Sequence, residues 1–220
     1  MAGTVIITGA NGSLGTAFVQ HFLVTYPEHT LICTVRNAAK EDQNTTNLKS
    51  LIANRPDSKA QIEQLDLGSL ASVRAFTDRI SEQITTKKIP RISAIVCNAF
   101  AWSLNGVKFT DDGMETSFQV SHLSHYLLVL RLLGSMDAET GRIVILGSEA
   151  HDPDRPNPLT KLLARFPDDV EELVKPAADK PEEVHDRGFQ RYGTSKLANV
   201  IFMQDLNKRL QAVRNSSPTE

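Results

Sequence analysis

Thr4-Val5-Ile6-Ile7-Thr8 is a short β-branched apolar run, and Gly9-Ala10-Asn11-Gly12-Ser13-Leu14-Gly15 follows it at once. A helical pattern then continues through Phe18, Val19, Phe22 and Leu23. Strand, glycine turn and helix in that order are the context a dinucleotide-binding site requires. Gly9 lets the chain turn off the strand, Gly12 lacks the Cβ that would hold a pyrophosphate away, and Gly15 lets the helix close on the strand. The helix N-terminus is left facing the phosphates. The spacing is Gly-x-x-Gly-x-x-Gly rather than the commoner Gly-x-Gly-x-x-Gly, and an ordinary tight loop is the plainer alternative.

The chain has 220 residues, 40% hydrophobic and 23% charged, which suits a single globular domain over residues 1–220. A formal net charge of −2 supplies no global field toward nucleic acid or an anionic membrane. No apolar run approaches the roughly 18 residues of a membrane helix, and no basic-then-apolar leader opens the sequence. Cys33 and Cys97 both sit in strand-like apolar runs, which reads as buried, reduced thiols and a cytoplasmic location.

Further alternation of strands and helices follows. Thr30–Val35 reads as a second buried strand and ends on Arg36-Asn37. A residue at that strand tip faces the adenosine ribose, where a carboxylate suits a 2′-hydroxyl and an arginine a 2′-phosphate. Arg36 therefore favours NADP(H), with a solvated loop arginine as the alternative. A helix is expected over about 44–54, stopped before Pro56. A third strand spans 61–65 and leads into Asp66-Leu67, where Asp66 suits either the adenine or a turn. Ser69 caps a helix over about 70–85, with Val73, Phe76 and Ile80 on one face.

Residues 92–97 form the fourth strand, ending at Asn98-Ala99-Phe100. A long helix is expected over roughly 114–133. His122 and His125 within it lack the cysteine or acidic neighbours of a zinc site, so packing and hydrogen bonding explain them better. Residues 142–146 are the fifth strand and run into Gly147-Ser148. The alternation predicts an α/β doubly wound parallel sheet with ligands at the strand C-termini, where Gly9–Gly15, Arg36, Asp66, Asn98 and Ser148 all fall.

Residues 149–190 carry six prolines and weakly helical pieces over 159–165 and 168–175, and read as an inserted lid or flap. Tyr192-Gly193-Thr194-Ser195-Lys196 opens a final helix through Leu206 and Leu210, before a polar tail from 215 to 220. Tyr192 and Lys196, at i and i+4, share a helix face. An ammonium beside a phenol favours the phenolate, so Tyr192 suits an acid in carbonyl reduction or a base in alcohol oxidation.

Taken together, Thr8–Gly15, Asp66-Leu67, Asn98-Ala99, Ser148 and Tyr192–Lys196 resemble the short-chain dehydrogenase/reductases. The stretches Phe118–Tyr126 and Tyr192–Asn199 look like its retinol-dehydrogenase and ketosteroid-reductase-like branch. The resemblance implies a Rossmann-type sheet of order 3-2-1-4-5, with Ser148 positioning a carbonyl and Tyr192 as proton donor. Lys196 would support Tyr192 and bind the nicotinamide ribose. Gly9, Asn11, Gly12, Ser13, Leu14 and Gly15 would line the pyrophosphate. Asp66 and Leu67 would meet the adenine, Asn98 and Ala99 a ribose, and Arg36 with Asn37 the NADP(H) phosphate.

The sequence departs from the family pattern in places. Ser121 stands where the family usually has an asparagine that holds a water of the proton relay, and Phe100 stands in place of a glycine. Gly12 precedes the position where the glycine more often falls, now Ser13. Family members also continue past the Tyr/Lys helix with two more strands, so strand five is expected at a sheet edge. The resemblance implies an NADPH-dependent oxidoreductase acting on a small lipophilic ketone, aldehyde or alcohol, with a homodimer as a further implication. A nucleotide-binding but non-catalytic protein is the alternative.

Overall fold

A computed structural model describes residues 2–39 and 42–216, with side chains as far as Val213. In chain order the strands are β1 (Thr4–Ile7), β2 (Thr30–Val35), β3 (Lys59–Gln64), β4 (Ile92–Cys97) and β5 (Arg142–Ile145). The α-helices are α1 (Ser13–Thr25), α2 (Gln43–Ala53), α3 (Leu70–Thr85), α4 (Thr116–Phe118), α5 (Ser124–Leu132), α6 (Glu171–Val174) and α7 (Val184–Ser216). Contacts divide the chain into two units, one of residues up to 100 with 123–146, the other of residues 101–122 with those from 147 onward.

The first unit is a parallel sheet of order β3-β2-β1-β4-β5, as expected from the sequence. β1 and β2 are buried along their whole length, because central parallel strands are covered on both faces. Ile6, Leu31, Ile32 and Ile95 expose no surface. The edge strand β5 instead alternates exposed and half-buried residues. β3 pairs with β2 residue for residue from Lys59–Thr30 to Gln64–Val35, so β2 sets its length. That shifts β3 two residues upstream of the start expected at 61 and leaves Leu65 just beyond it.

Helix starts follow local capping chemistry. The Asp42 side chain accepts from Thr45 N–H at 2.8 Å and opens α2. The Ser69 side chain accepts from Ser72 N–H at 3.2 Å and opens α3, as expected. Val73, Phe76 and Ile80 of α3 are fully buried, each stabilising the fold by about 1.5–3 kcal/mol. Both cysteines are buried and neither is in a disulfide, and burial pushes the Cys33 thiol up to about 12, which leaves it unreactive.

The second unit departs more from expectation. The helix read over 114–133 is broken into α4, a π turn over Gln119–Leu123, and α5. Ser121 and His122 of that turn are held by hydrogen bonds to distant residues, which helical periodicity does not reveal. α7 begins at Val184, two turns before Tyr192. Arg187 explains part of this, since its backbone and side chain bond Glu183 at 2.8 and 2.9 Å. Gly188 explains the rest: it costs a helix about 1 kcal/mol, yet a Cβ there would strike the Ser103 backbone.

The piece 159–165 is not helical. Asn157 forms a turn by accepting from Leu159 N–H at 2.9 Å, and the Arg165 backbone exchanges two hydrogen bonds with the Thr194 hydroxyl. The expected helix over 168–175 contracts to α6. Arg191 of α7 holds Asp179 through two bonds of 2.6 and 2.8 Å, with both side chains largely buried. The Glu115 carboxylate lies 3.7 Å from the same guanidinium and accepts from Phe118 N–H at 2.7 Å. The polar tail beyond Ser216 lies outside the described residues. Among those residues no helix is long and apolar enough to cross a membrane.

Candidate active site

The first unit carries a glycine turn after β1. Gly9 has φ +64°, a left-handed conformation that suits glycine, and a Cβ there would sit 3.0 Å from that of Ala99. Gly15 is buried, and a Cβ on it would run into the Gly9 carbonyl and the Ala10 backbone. Gly12, Ser13 and Leu14 are exposed, and Gly12 caps α1 with no side-chain hydrogen bond. First-turn N–H groups therefore face outward at the positive end of the helix dipole, a cradle that fits a pyrophosphate. Asn11 Nδ2 donates to Thr45 Oγ1 at 3.0 Å and ties the turn to α2.

The floor of this turn is fixed by a network that the sequence alone did not single out. Thr8 Oγ1 accepts from the N–H groups of Asn98 and Ala99, both at 3.0 Å. Asn98 Nδ2 returns donors to the Thr8 and Gly9 carbonyls at 2.9 and 3.2 Å. The Thr8 hydroxyl also lies 2.9 Å from His125 Nε2, in hydrogen-bond contact, and 3.5 Å from the Val96 carbonyl. His125 is buried and serves this network by holding Thr8. Among the described residues no cluster of His, Cys, Asp and Glu is arranged to hold a metal.

Arg36 is exposed directly after β2, and Asn37 Oδ1 accepts from Ala39 N–H at 3.0 Å. Asp66 Oδ1 accepts from Gly68 N–H at 2.8 Å, so its carboxylate shapes the turn after β3. Leu67 is buried, and its carbonyl accepts from Ser124 Oγ at 2.7 Å.

In the second unit Ser148 and Tyr192 line one cavity of about 590 Å³. Trp102, Pro156, Leu159 and Phe189 supply its apolar wall, so the first part of the flap segment belongs to it. Ser148 Oγ accepts from Ala150 N–H at 3.3 Å and opens the short 3₁₀ turn Glu149–His151. α7 approaches that turn closely because Gly193 has no Cβ to strike the Ala150 carbonyl. Lys196 is buried, with Nζ 5.7 Å from the centre of the Tyr192 ring.

Ser121 is buried too, and its hydroxyl accepts from Ala101 N–H at 3.1 Å and meets the Ala101 carbonyl at 3.2 Å. Asn199 of α7 donates to the Ser121 carbonyl at 3.0 Å and accepts from His122 Nδ1 at 2.9 Å. Burial holds the His122 imidazole below its ordinary range, and the Asn199 contact offsets part of that. Trp102, Phe189 and Asn199 are the residues that sequence reasoning missed. A lone tryptophan in a polar loop was the one available signal.

A larger cavity, about 680 Å³, is lined by Phe166, Leu173, Asp179, Arg187 and Arg191. It contains neither Ser148 nor Tyr192, so reactive groups rather than volume select the site.

The family model described as short chain dehydrogenase matches residues 3–157. A short-chain dehydrogenase, iccH, of Talaromyces variabilis is 34% identical over 95% of this chain and 65% of its own length. Mouse retinol dehydrogenase 14 is 30% identical over 94% of this chain and 57% of its own. The chain thus spans about half to two thirds of the curated relatives it matches. In fold it is similar to an NADPH-bound carbonyl reductase from chicken fatty liver. That likeness has a TM-score of 0.63 at 18% identity, covering 94% of this chain and 71% of that one. The family-model match over residues 3–157 shows that this chain belongs to the short-chain dehydrogenase family.

Proposed function

We propose that the chain is an NADPH-dependent oxidoreductase that reduces a lipophilic ketone or aldehyde, or oxidises the corresponding alcohol. The observation that carries this reading is the cavity shared by Ser148 and Tyr192, with Lys196 one helical turn from Tyr192. The Ser148 hydroxyl donates a hydrogen bond to the carbonyl oxygen and fixes it beside Tyr192. The Tyr192 phenol then gives that oxygen its proton, and in the reverse direction takes a proton from the alcohol. The Lys196 ammonium balances the charge left on the phenolate, a reading supported by its Nζ at 5.7 Å from the ring centre.

NADPH, when bound, supplies the hydride to the carbonyl carbon. The cradle of Gly9, Asn11, Gly12, Ser13, Leu14 and Gly15 holds the pyrophosphate. Arg36, with Asn37 beside it, holds the 2′-phosphate. Asp66 and Leu67 border the adenine, and Asn98 and Ala99 a ribose. Ser121 supports the site by holding the Ala101 backbone. The NADPH named for the chicken carbonyl reductase agrees with the cofactor choice.

Two measurements test the reading. In titrations of the full chain, NADPH binds more tightly than NADH, and Arg36→Ala lowers NADPH affinity by roughly 10–100-fold with little change for NADH. Tyr192→Phe leaves cofactor affinity intact and lowers turnover by about 10²–10⁴-fold. Cofactor binding with no turnover across a carbonyl panel would instead support a non-catalytic nucleotide-binding role.

A further inference from the structure

We infer that Trp102 is a specificity-determining residue, and that with Phe189 it selects flat, uncharged aromatic ketones or aldehydes for the Ser148–Tyr192 site. The inference rests on the proposed carbonyl chemistry of that site and adds the substrate class to it.

Trp102 is 48% exposed and Leu159 is 60% exposed, and both border the cavity of about 590 Å³ that holds Ser148 and Tyr192. Large apolar surface beside reactive hydroxyls suits a ligand that removes it from water, and the volume lies within the range of small-molecule sites. The three aromatic side chains there form one connected group. Trp102 lies 5.5 Å from Tyr192 at 59° and 5.7 Å from Phe189 at 65°, centre to centre. Phe189 and Tyr192 meet nearly edge to face at 6.3 Å.

Tilted rings at these spacings present faces and edges together, and a further flat ring gains from both through its quadrupole. A puckered or flexible aliphatic chain gains only from area burial. The position of Tyr192 within the ring group is what couples recognition to chemistry: a ring lying on Trp102 brings an attached carbonyl to the phenol. Charge completes the selection. Arg155 and Glu149 at the same cavity pair with each other at 3.2 Å, so this wall carries one cation and one anion and favours an uncharged ligand.

Trp102 is the single tryptophan of the chain, so its emission reports this wall directly. The test compares two ketones of equal carbon number, flat acetonaphthone and puckered cyclododecanone, on the full chain with saturating NADP+, which cannot reduce them. Binding to the wild type is read by Trp102 emission, corrected against free N-acetyltryptophanamide, and binding to the wild type and the Trp102 variants alike by calorimetry. Acetonaphthone is expected to bind roughly tenfold more tightly. Trp102→Leu is expected to remove that preference by weakening acetonaphthone alone, while Trp102→Phe keeps most of it. In steady state with NADPH, Trp102→Leu raises the acetonaphthone KM with kcat changed by no more than about twofold, and Trp102→Phe stays near wild type in both.

Equal affinity for the two ketones, binding of neither, or an equal loss of both in Trp102→Leu would overturn the inference. Should Trp102→Leu fail to fold, Trp102→Phe against the wild type decides the matter, since a ring must survive for the preference to survive. Failure of the underlying chemistry looks different. In that case wild type binds acetonaphthone selectively, and Tyr192→Phe binds it equally well, yet neither oxidises NADPH.

Discussion

The glycine turn after β1 and the cavity beside Tyr192 are held in shape by different means. The turn is a backbone object: its form comes from Gly9 at φ +64°, from Gly15 pressed against the Gly9 carbonyl, and from Asn98 amide donors to the Thr8 and Gly9 carbonyls. The cavity is a side-chain object, assembled from Trp102, Ser148 and Tyr192, which lie on three separate stretches of chain. A backbone site tolerates many side-chain changes and fails where a Cβ collides. A side-chain site can be retuned one wall at a time, and that is where selectivity for a substrate is free to vary.

The largest expected break falls in the cavity's own unit. Asp179→Ala strands Arg191, whose side chain is only 13% exposed, beside a Glu115 carboxylate 3.7 Å away. Loss of one partner from a buried pair costs about 3–5 kcal/mol, and the remaining carboxylate places this case near 3 kcal/mol. Urea denaturation reads it as a lower midpoint. A midpoint within error of wild type would mean that the segment from 166 to 183 is not secured by this pair.

Next in size is a contrast between two glycines of the turn. Gly15→Ala should lose about 1–3 kcal/mol despite the better helix propensity of alanine, because the new methyl meets backbone rather than a movable side chain. Gly12→Ala has only the Gly9 carbonyl near, at 3.3 Å, and should stay within about 0.5 kcal/mol of wild type. It should nevertheless weaken NADPH binding at the exposed face. Equal stability losses in the two variants would contradict the division between a packing glycine and a binding glycine.

The smallest effect concerns His122. Its folded-state affinity for protons is lowered by burial, so the unfolded chain binds the proton more readily. Stability from this residue is therefore complete above the unfolded value of about 6.5 and is lost as pH falls through the lower folded value. His122→Gln should flatten the acid side of the stability profile by at most about 1.4 kcal/mol per pH unit. An unchanged slope in denaturation series below pH 6.5 would remove His122 from the acid response.

How much of this was legible in the sequence depended on distance along the chain. Ser69 and its helix, the central strands, and the turn from Gly9 to Gly15 were all readable, because caps, β-branched runs and glycine spacing act over a few residues. The early start of α7 was not, since Gly188 weakens the local helix signal and is justified only by the Ser103 backbone far upstream. Asp66 was left open between adenine and turn, and the structure shows its carboxylate serving the turn. Ser121 offered a hydroxyl in a helical pattern, but its attachment to Ala101 and Asn199 required the folded chain.

By itself, then, the sequence determined the alternation of strands and helices, the glycine turn after β1 and the shared helix face of Tyr192 and Lys196, consequences of short-range sterics and period, while the strand order was implied by the family resemblance. Only the tertiary structure decided that Trp102 and Phe189 stand in one ring group with Tyr192, that Thr8 is hydrogen-bonded to His125, and that Arg191 is pinned by Asp179. These are contacts between residues far apart in the chain, whose partners are chosen by which surfaces must be buried together rather than by any local preference.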